Sequence, residues 1–208
     1  MYITWYGQSC FKLQNKTQTV LIDPYSPKKY GLRGPNLKAI LMLLTDSEDE
    51  KKAQKDLKKE CFLISSPGEY EIDNIFIQGL DFKGKEKRLT VYRLEIDNIR
   101  FGILAEIDDL LSNDVLNNLD GIDVLFIPVG GGEVIDSKKA IEIINSLEPK
   151  LAIPCCFKIP GLKSNLSPSD KFLKEAGIKN IERLNKLSIQ KKHLLFEETK
   201  IVILEPGG

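Results

Sequence analysis

Histidine is nearly missing from this chain: among 208 residues there is one, His193, set between Lys192 and Leu194. That scarcity removes the usual imidazole ligands of zinc and the commonest general base at neutral pH. Net charge is missing too, because thirty Lys and Arg balance thirty Asp and Glu. A neutral chain has no broad electrostatic footprint for nucleic acid or an anionic membrane, and short basic runs such as Lys83 to Arg88 and Lys191-Lys192 read as solvated turns. The longest uninterrupted apolar run, Ala39 to Leu44, is far too short to cross a bilayer. The four cysteines (Cys10, Cys61, Cys155, Cys156) show neither CxxC spacing nor a disulfide framework. Bridging the adjacent pair would strain the peptide between them, so free buried thiols are expected. The sequence opens directly on a strand-like Met1-Tyr2-Ile3-Thr4-Trp5-Tyr6, without a charged leader and apolar signal core, and a cytoplasmic protein is expected.

What is present is globular: 42% hydrophobic and 29% charged residues, in a chain long enough to bury roughly 70% of its extended surface. Alternating or apolar segments predict strands at about 1–6, 10–14, 18–23, 38–44, 61–64, 74–79, 88–95, 98–104, 122–128, 150–154 and 199–204. Gln14-Asn15-Lys16-Thr17 and Asp97-Asn98 carry hairpin chemistry, so an antiparallel meander is expected over the first half. Helices are predicted at 114–119, at 136–147 with Ile141, Ile144 and Leu147 as its apolar stripe, and at 169–176 before Gly177. The polar stretch Glu48 to Glu60 reads as a short solvated helix. This count fits a mixed α/β single domain over residues 1–208, a four-layer αββα sandwich with two sheets face to face.

Several motifs occur in a telling order: Trp5-Tyr6-Gly7-Gln8-Ser9-Cys10-Phe11, Val20-Leu21-Ile22-Asp23-Pro24, Leu43-Leu44-Thr45-Asp46-Ser47-Glu48, Gly68-Glu69-Tyr70-Glu71, Ile127-Pro128-Val129-Gly130-Gly131 and Ala152-Ile153-Pro154-Cys155-Cys156. Together they resemble the metallo-β-lactamase superfamily, in particular small bacterial metal-dependent hydrolases close to the ascorbate phosphate lactonase-like group. The resemblance implies the αββα fold and one or two zinc ions, held by a T-H-x-H-x-D-H loop and later histidines, that lower the pKa of a bridging water.

Position by position, that ligand set is replaced. Thr45 remains, but Asp46 and Glu48 stand at the two histidines and Glu50-Lys51 at the Asp-His pair. Gln8 replaces an early histidine, Asp81-Phe82-Lys83-Gly84-Lys85 covers a histidine-aspartate pair, Glu106 falls at the bridging aspartate, Asp109 at the next histidine and Cys156 at the closing one. The expected reading is a pseudo-hydrolase with no zinc, retained for binding, regulation, self-association or pairing with an active homologue. In it, Lys51 neutralises the acidic cluster. The alternative is an enzyme whose carboxylates Asp46, Glu48, Glu50, Glu106 and Asp109 hold Mg²⁺ or Mn²⁺. Cysteine nucleophilic chemistry through Cys155 or Cys156 lacks a nearby base. Arg33 and the Gly130-Gly131-Gly132 loop are candidate pocket-lining residues, set against the plainer readings of an exposed loop arginine and a ligand-free turn.

Overall fold

The structure is a computed structural model that describes residues 1–25, 30–32, 34, 38–50, 61–179, 181–195 and 197–207. Its first sheet has six strands in the order β13-β1-β2-β3-β4-β5. These are β1 (Tyr2–Gly7), β2 (Cys10–Gln14), β3 (Thr19–Ile22), β4 (Leu41–Leu43), β5 (Phe62–Ile64) and β13 (Leu187–Ser188). Its second sheet has seven, ordered β14-β11-β10-β9-β8-β7-β6. They are β6 (Gly68–Ile72), β7 (Ile75–Lys83), β8 (Arg88–Ile96), β9 (Ile99–Ile103), β10 (Val124–Pro128), β11 (Leu151–Cys155) and β14 (Lys200–Ile201). A short pair joins β12 (Arg183–Leu184) to β15 (Ile203–Leu204).

The expected meander holds for β1–β3 and for β6–β9, but β4 lies parallel to both β3 and β5, so the first sheet is mixed. β4 is apolar on both faces, the pattern of a central strand reached by crossovers. Strand alternation divides its neighbours cleanly. Val20, Ile22, Leu41 and Leu43 face the main core, while Leu21, Met42 and Leu44 form a second small cluster on the opposite face. Between the sheets the Phe11 and Phe126 rings stack with centroids 4.1 Å apart, and Trp5 packs on Phe157 at 4.7 Å.

Three α-helices are described: α1 (Asn113–Asn118), α2 (Ser137–Leu147) and α3 (Ser169–Glu175). Ser112 caps the first by accepting from the Val115 amide, and Asp136 caps the second by accepting from Lys139. The second buries Ala140, Ile143, Ile144 and Leu147 and ends on Glu148 in the left-handed region. Their packing partners are β7, β10 and each other, so they cover the outer face of the second sheet. Of the helix expected at Glu48 to Glu60, Ser47–Asp49 forms a 3-10 turn, and 51–60 lie outside the described residues.

One end of the sandwich is stitched across. The Thr90 amide of β8 donates to the Thr45 carbonyl at 2.8 Å. The buried Tyr92 hydroxyl donates to Leu44 O at 2.8 Å and approaches Ile64 O at 3.3 Å. These bonds hold the exits of β4 and β5 against the second sheet, and a cleft opens beside them.

Candidate functional site

The cleft encloses about 560 Å³, the size of a small-molecule pocket. Its floor comes from Ser9, Asp23, Thr45 and Glu106, each just beyond a strand end, and its walls from Tyr25, Tyr30, Ser65, Ser66, Lys87 and Arg88.

Asp23 is the most perturbed group on the floor. Its carboxyl accepts from the Thr45 amide and the Thr45 hydroxyl, both at 2.7 Å. Although Asp23 keeps some surface on the cleft, protein closely surrounds it, and this desolvation pushes its pKa up to about 7. The two Thr45 bonds oppose that shift, and the charge of Glu106 adds to it. Glu106 lies within 3.4 Å of both the Ser9 and the Tyr30 hydroxyl. Lys87 Nζ stands 3.5 Å from Glu106 Oε2 and donates to Glu106 O at 3.2 Å. On the wall, Arg88 grips Asp81 with Nε and a terminal nitrogen at 2.9 and 3.0 Å.

The backbone below the floor is strained. Gln8, Asp23, Ala105 and Cys156 all have positive φ, at 50°, 43°, 55° and 48°. Three of them are linked: the Cys156 amide donates to Gln8 O at 3.3 Å, and Cys156 Sγ lies 3.9 Å from Ala105 O. Non-glycine residues held left-handed concentrate at functional sites.

Of the residues singled out from sequence, Asp46, Glu48 and Glu106 line the cleft. Asp46 caps the 3-10 turn by accepting from the Glu48 amide at 2.9 Å. Glu50 accepts from Ser65 at 2.8 Å, next to the cleft wall. Gln8 and Cys156 are buried outside the lining; Gln8 Oε1 has no hydrogen-bond partner among the described residues, and burial pushes the Cys156 thiol well up. Asp109 is drawn away from the cleft by Lys139, whose hydrogen bond holds its carboxyl below the usual range. Lys51 and Arg33 lie outside the described residues. The glycine loop does not line the cleft. A Cβ on Gly130 would stand 2.1 Å from Cys156 O, so the glycine is needed for close backbone packing, and the Gly131 amide is satisfied by Ile135 O at 3.0 Å.

Sequence reasoning missed Asp23, Ser9 and Lys87 as site groups. An acid closing the apolar run Val20-Leu21-Ile22 was the available signal for Asp23. Lys87 had none, because a lysine among lysines reads as solvent-facing.

A two-sheet sandwich with its site at the strand ends, flanked by helices, is the architecture of metallo-hydrolases. Residues 2–156 match the family model described as beta-lactamase superfamily domain, and the chain belongs to that superfamily. It is 23% identical over 176 residues to a UPF0173 protein of Pyrococcus abyssi, covering 74% of this chain and 82% of that one. A crystal structure of a proposed Zn-dependent hydrolase of the metallo-β-lactamase superfamily from Thermotoga maritima superposes with a TM-score of 0.82. It is 30% identical, with 98% of this chain and 97% of that one covered. The metallo hydrolase Igni18 of Ignicoccus hospitalis, 15% identical with a TM-score of 0.67 over all of this chain and 96% of that one, shares the fold.

The superfamily implies a metal, and the donors among the described residues do not fit one. Among the described residues no three His, Cys, Asp or Glu groups come together as a metal site. Glu106, where the resemblance would place a bridging aspartate, faces the Lys87 ammonium.

Proposed function

We propose that this chain is a catalytically degenerate member of the superfamily that uses its cleft to bind a small polar ligand. The observation that carries the reading is that the positions where the resemblance places ligands are divided, some lining the cleft and the others engaged or buried elsewhere. Among the described residues, Asp109 is turned to Lys139, Cys156 and Gln8 are buried outside the lining, and Glu50 is bonded to Ser65. Without a metal-bound hydroxide the cleft has no strong nucleophile at neutral pH. What remains is a cavity rich in hydroxyls and carboxylates, suited to hold a polar molecule by hydrogen bonds. A binding role is compatible with self-association or with pairing to an active homologue.

Elemental analysis of the purified chain, run beside assays on phosphodiesters, lactones and β-lactams, tests this. The expected result is no stoichiometric zinc and no turnover. One zinc per chain that resists chelator, with turnover that chelator abolishes, overturns it. A second reading rests on Asp46, Glu48 and Glu106 sharing one cleft: one bound Mn²⁺ or Mg²⁺ with turnover lost in Asp46→Ala favours a remodelled carboxylate enzyme.

A further inference from the structure

We propose that Lys87 is a resident cation, its ammonium standing in structurally for the metal that the resembled hydrolases hold at this floor. The proposal rests on the metal-free reading above and assigns the charge that replaces the ion. Three independent features of the fold converge on it.

The first is the partner. Lys87 touches the residue at the bridging-acid position twice, through the carboxylate at 3.5 Å and the main-chain carbonyl at 3.2 Å. Both side chains are largely shielded, at 28% and 26% exposure. The second is the origin of the lysine. It comes from the β7–β8 turn, two residues beyond the segment 81–85, where the resemblance places a histidine-aspartate pair, so a cation is delivered from beside that segment.

The third is how firmly that turn is aimed. The Gly84 amide donates to Lys87 O at 2.8 Å, and Asp108 accepts from the amides of Lys85 and Glu86 at 3.1 and 2.8 Å. A Cβ on Gly84 would lie 1.7 Å from Asp108 Oδ1, so only glycine lets the carboxylate reach the turn. The neighbouring lysines go elsewhere, Lys83 toward Asp81 at 3.9 Å and Lys85 toward Asp109 at 4.0 Å. Glu106 lowers its own electrostatic cost by facing Lys87, and Cys156 senses both charges, Glu106 raising its pKa and Lys87 lowering it.

An ammonium does one part of a metal's work. It neutralises the floor and holds the β7–β8 turn against the exit of β9. It does not act as a Lewis acid on water, so the geometry of the cleft persists while the hydroxide source is gone.

The test uses chelator-treated full-length protein and melting temperatures for wild type, Lys87→Met, Lys87→Arg, Glu106→Gln and the Lys87→Met/Glu106→Gln double variant, each with and without millimolar Mn²⁺. Lys87→Met is expected to melt about 2–4 °C lower, as for loss of a partly shielded ion pair in a chain of this size. Lys87→Arg should stay within about 1 °C of wild type, since the charge is kept. The double variant should fall no further than the lower single variant. Mn²⁺ should raise the melting temperature of Lys87→Met by about 2–4 °C and leave wild type unmoved. Additive single variants, or equal stabilisation of wild type and Lys87→Met by Mn²⁺, overturn the proposal. So does a Lys87→Arg variant that fails to fold, whereas failure of Lys87→Met beside a wild-type-like Lys87→Arg supports it. Zinc in untreated wild type sinks the metal-free reading itself; additivity in a zinc-free protein removes only the role of Lys87.

Discussion

Apart from the helix end at Glu148, two regions among the described residues hold non-glycine residues in the left-handed conformation, and they do so on different terms. At the hairpin tips, Asp73-Asn74 and Asp97-Asn98 have φ between 53° and 59°. Each pair is a two-residue turn between antiparallel strands, filled by the residue types that tolerate it best. Beneath the cleft, the same region of φ is imposed on Gln8, Asp23, Ala105 and Cys156. Local chemistry does not ask for it at a glutamine, an alanine or a cysteine. Tertiary packing enforces it by locking the strand exits together through Gln8 O, Ala105 O and their hydrogen-bond partners. The tips are bent by their own sequence; the floor is bent by its surroundings. The backbone frame under the cleft is therefore held by tertiary packing, whatever side chains line the floor above it.

The largest expected effect of breaking this contrast is at Ala105, which is buried and left-handed. Ala105→Val puts a β-branched side chain where φ is positive and where packing is tight. It should cost about 2 kcal/mol or more, read as a lower urea midpoint at unchanged slope.

Next comes the floor's one strongly shifted acid. The pKa of Asp23 rises from 3.8 to about 7 on folding, so the folded chain holds a proton that the unfolded chain releases. Its contribution to stability is fully present below about pH 4 and is lost as pH rises through about 7. Between those limits the slope is at most about 1.4 kcal/mol per pH unit. Urea melts from pH 5 to pH 8 should show stability falling with pH in wild type, and Asp23→Asn should flatten the curve. An unchanged slope in the variant would place the titrating group elsewhere.

The smallest effect belongs to the hairpin. Asn98→Gly replaces one residue suited to positive φ by another and should change stability by no more than a few tenths of a kcal/mol. A loss comparable to that of Ala105→Val would erase the distinction between tips and floor.

Much of the scaffold was legible because its signals are local. The Asp97-Asn98 hairpin and the helix at 137–147 follow from turn chemistry and apolar periodicity within a few residues. β6 was missed because its sequence, Gly-Glu-Tyr-Glu-Ile, has no buried position: it is an edge strand with solvent on much of both faces. The parallel placement of β4 was missed because a run apolar on both faces carries no direction. The site was legible only in part. Asp46, Glu48 and Glu106 stand at recognisable positions, and they do line the cleft. Lys87 depends on the aim of a turn clamped by Asp108 from another segment, and no pattern within residues 83–88 encodes that contact.

The pairing of β1 with β13 has a consequence for how the chain is made. Tyr2 and Ile3 align with Ser188 and Leu187, Met1 and Ile189 exchange main-chain hydrogen bonds, and the Gly207 amide reaches Trp5 O at 2.6 Å. During synthesis β1 therefore waits for a strand made more than 180 residues later. Until then one flank of β1 is an unpaired edge on the nascent sheet, next to the apolar Ile3 and Trp5, and loop closure must span more than 180 residues before it is covered. Assembly of the first sheet is thus tied to synthesis of β13, and until then the exposed edge of β1 is open to non-native pairing.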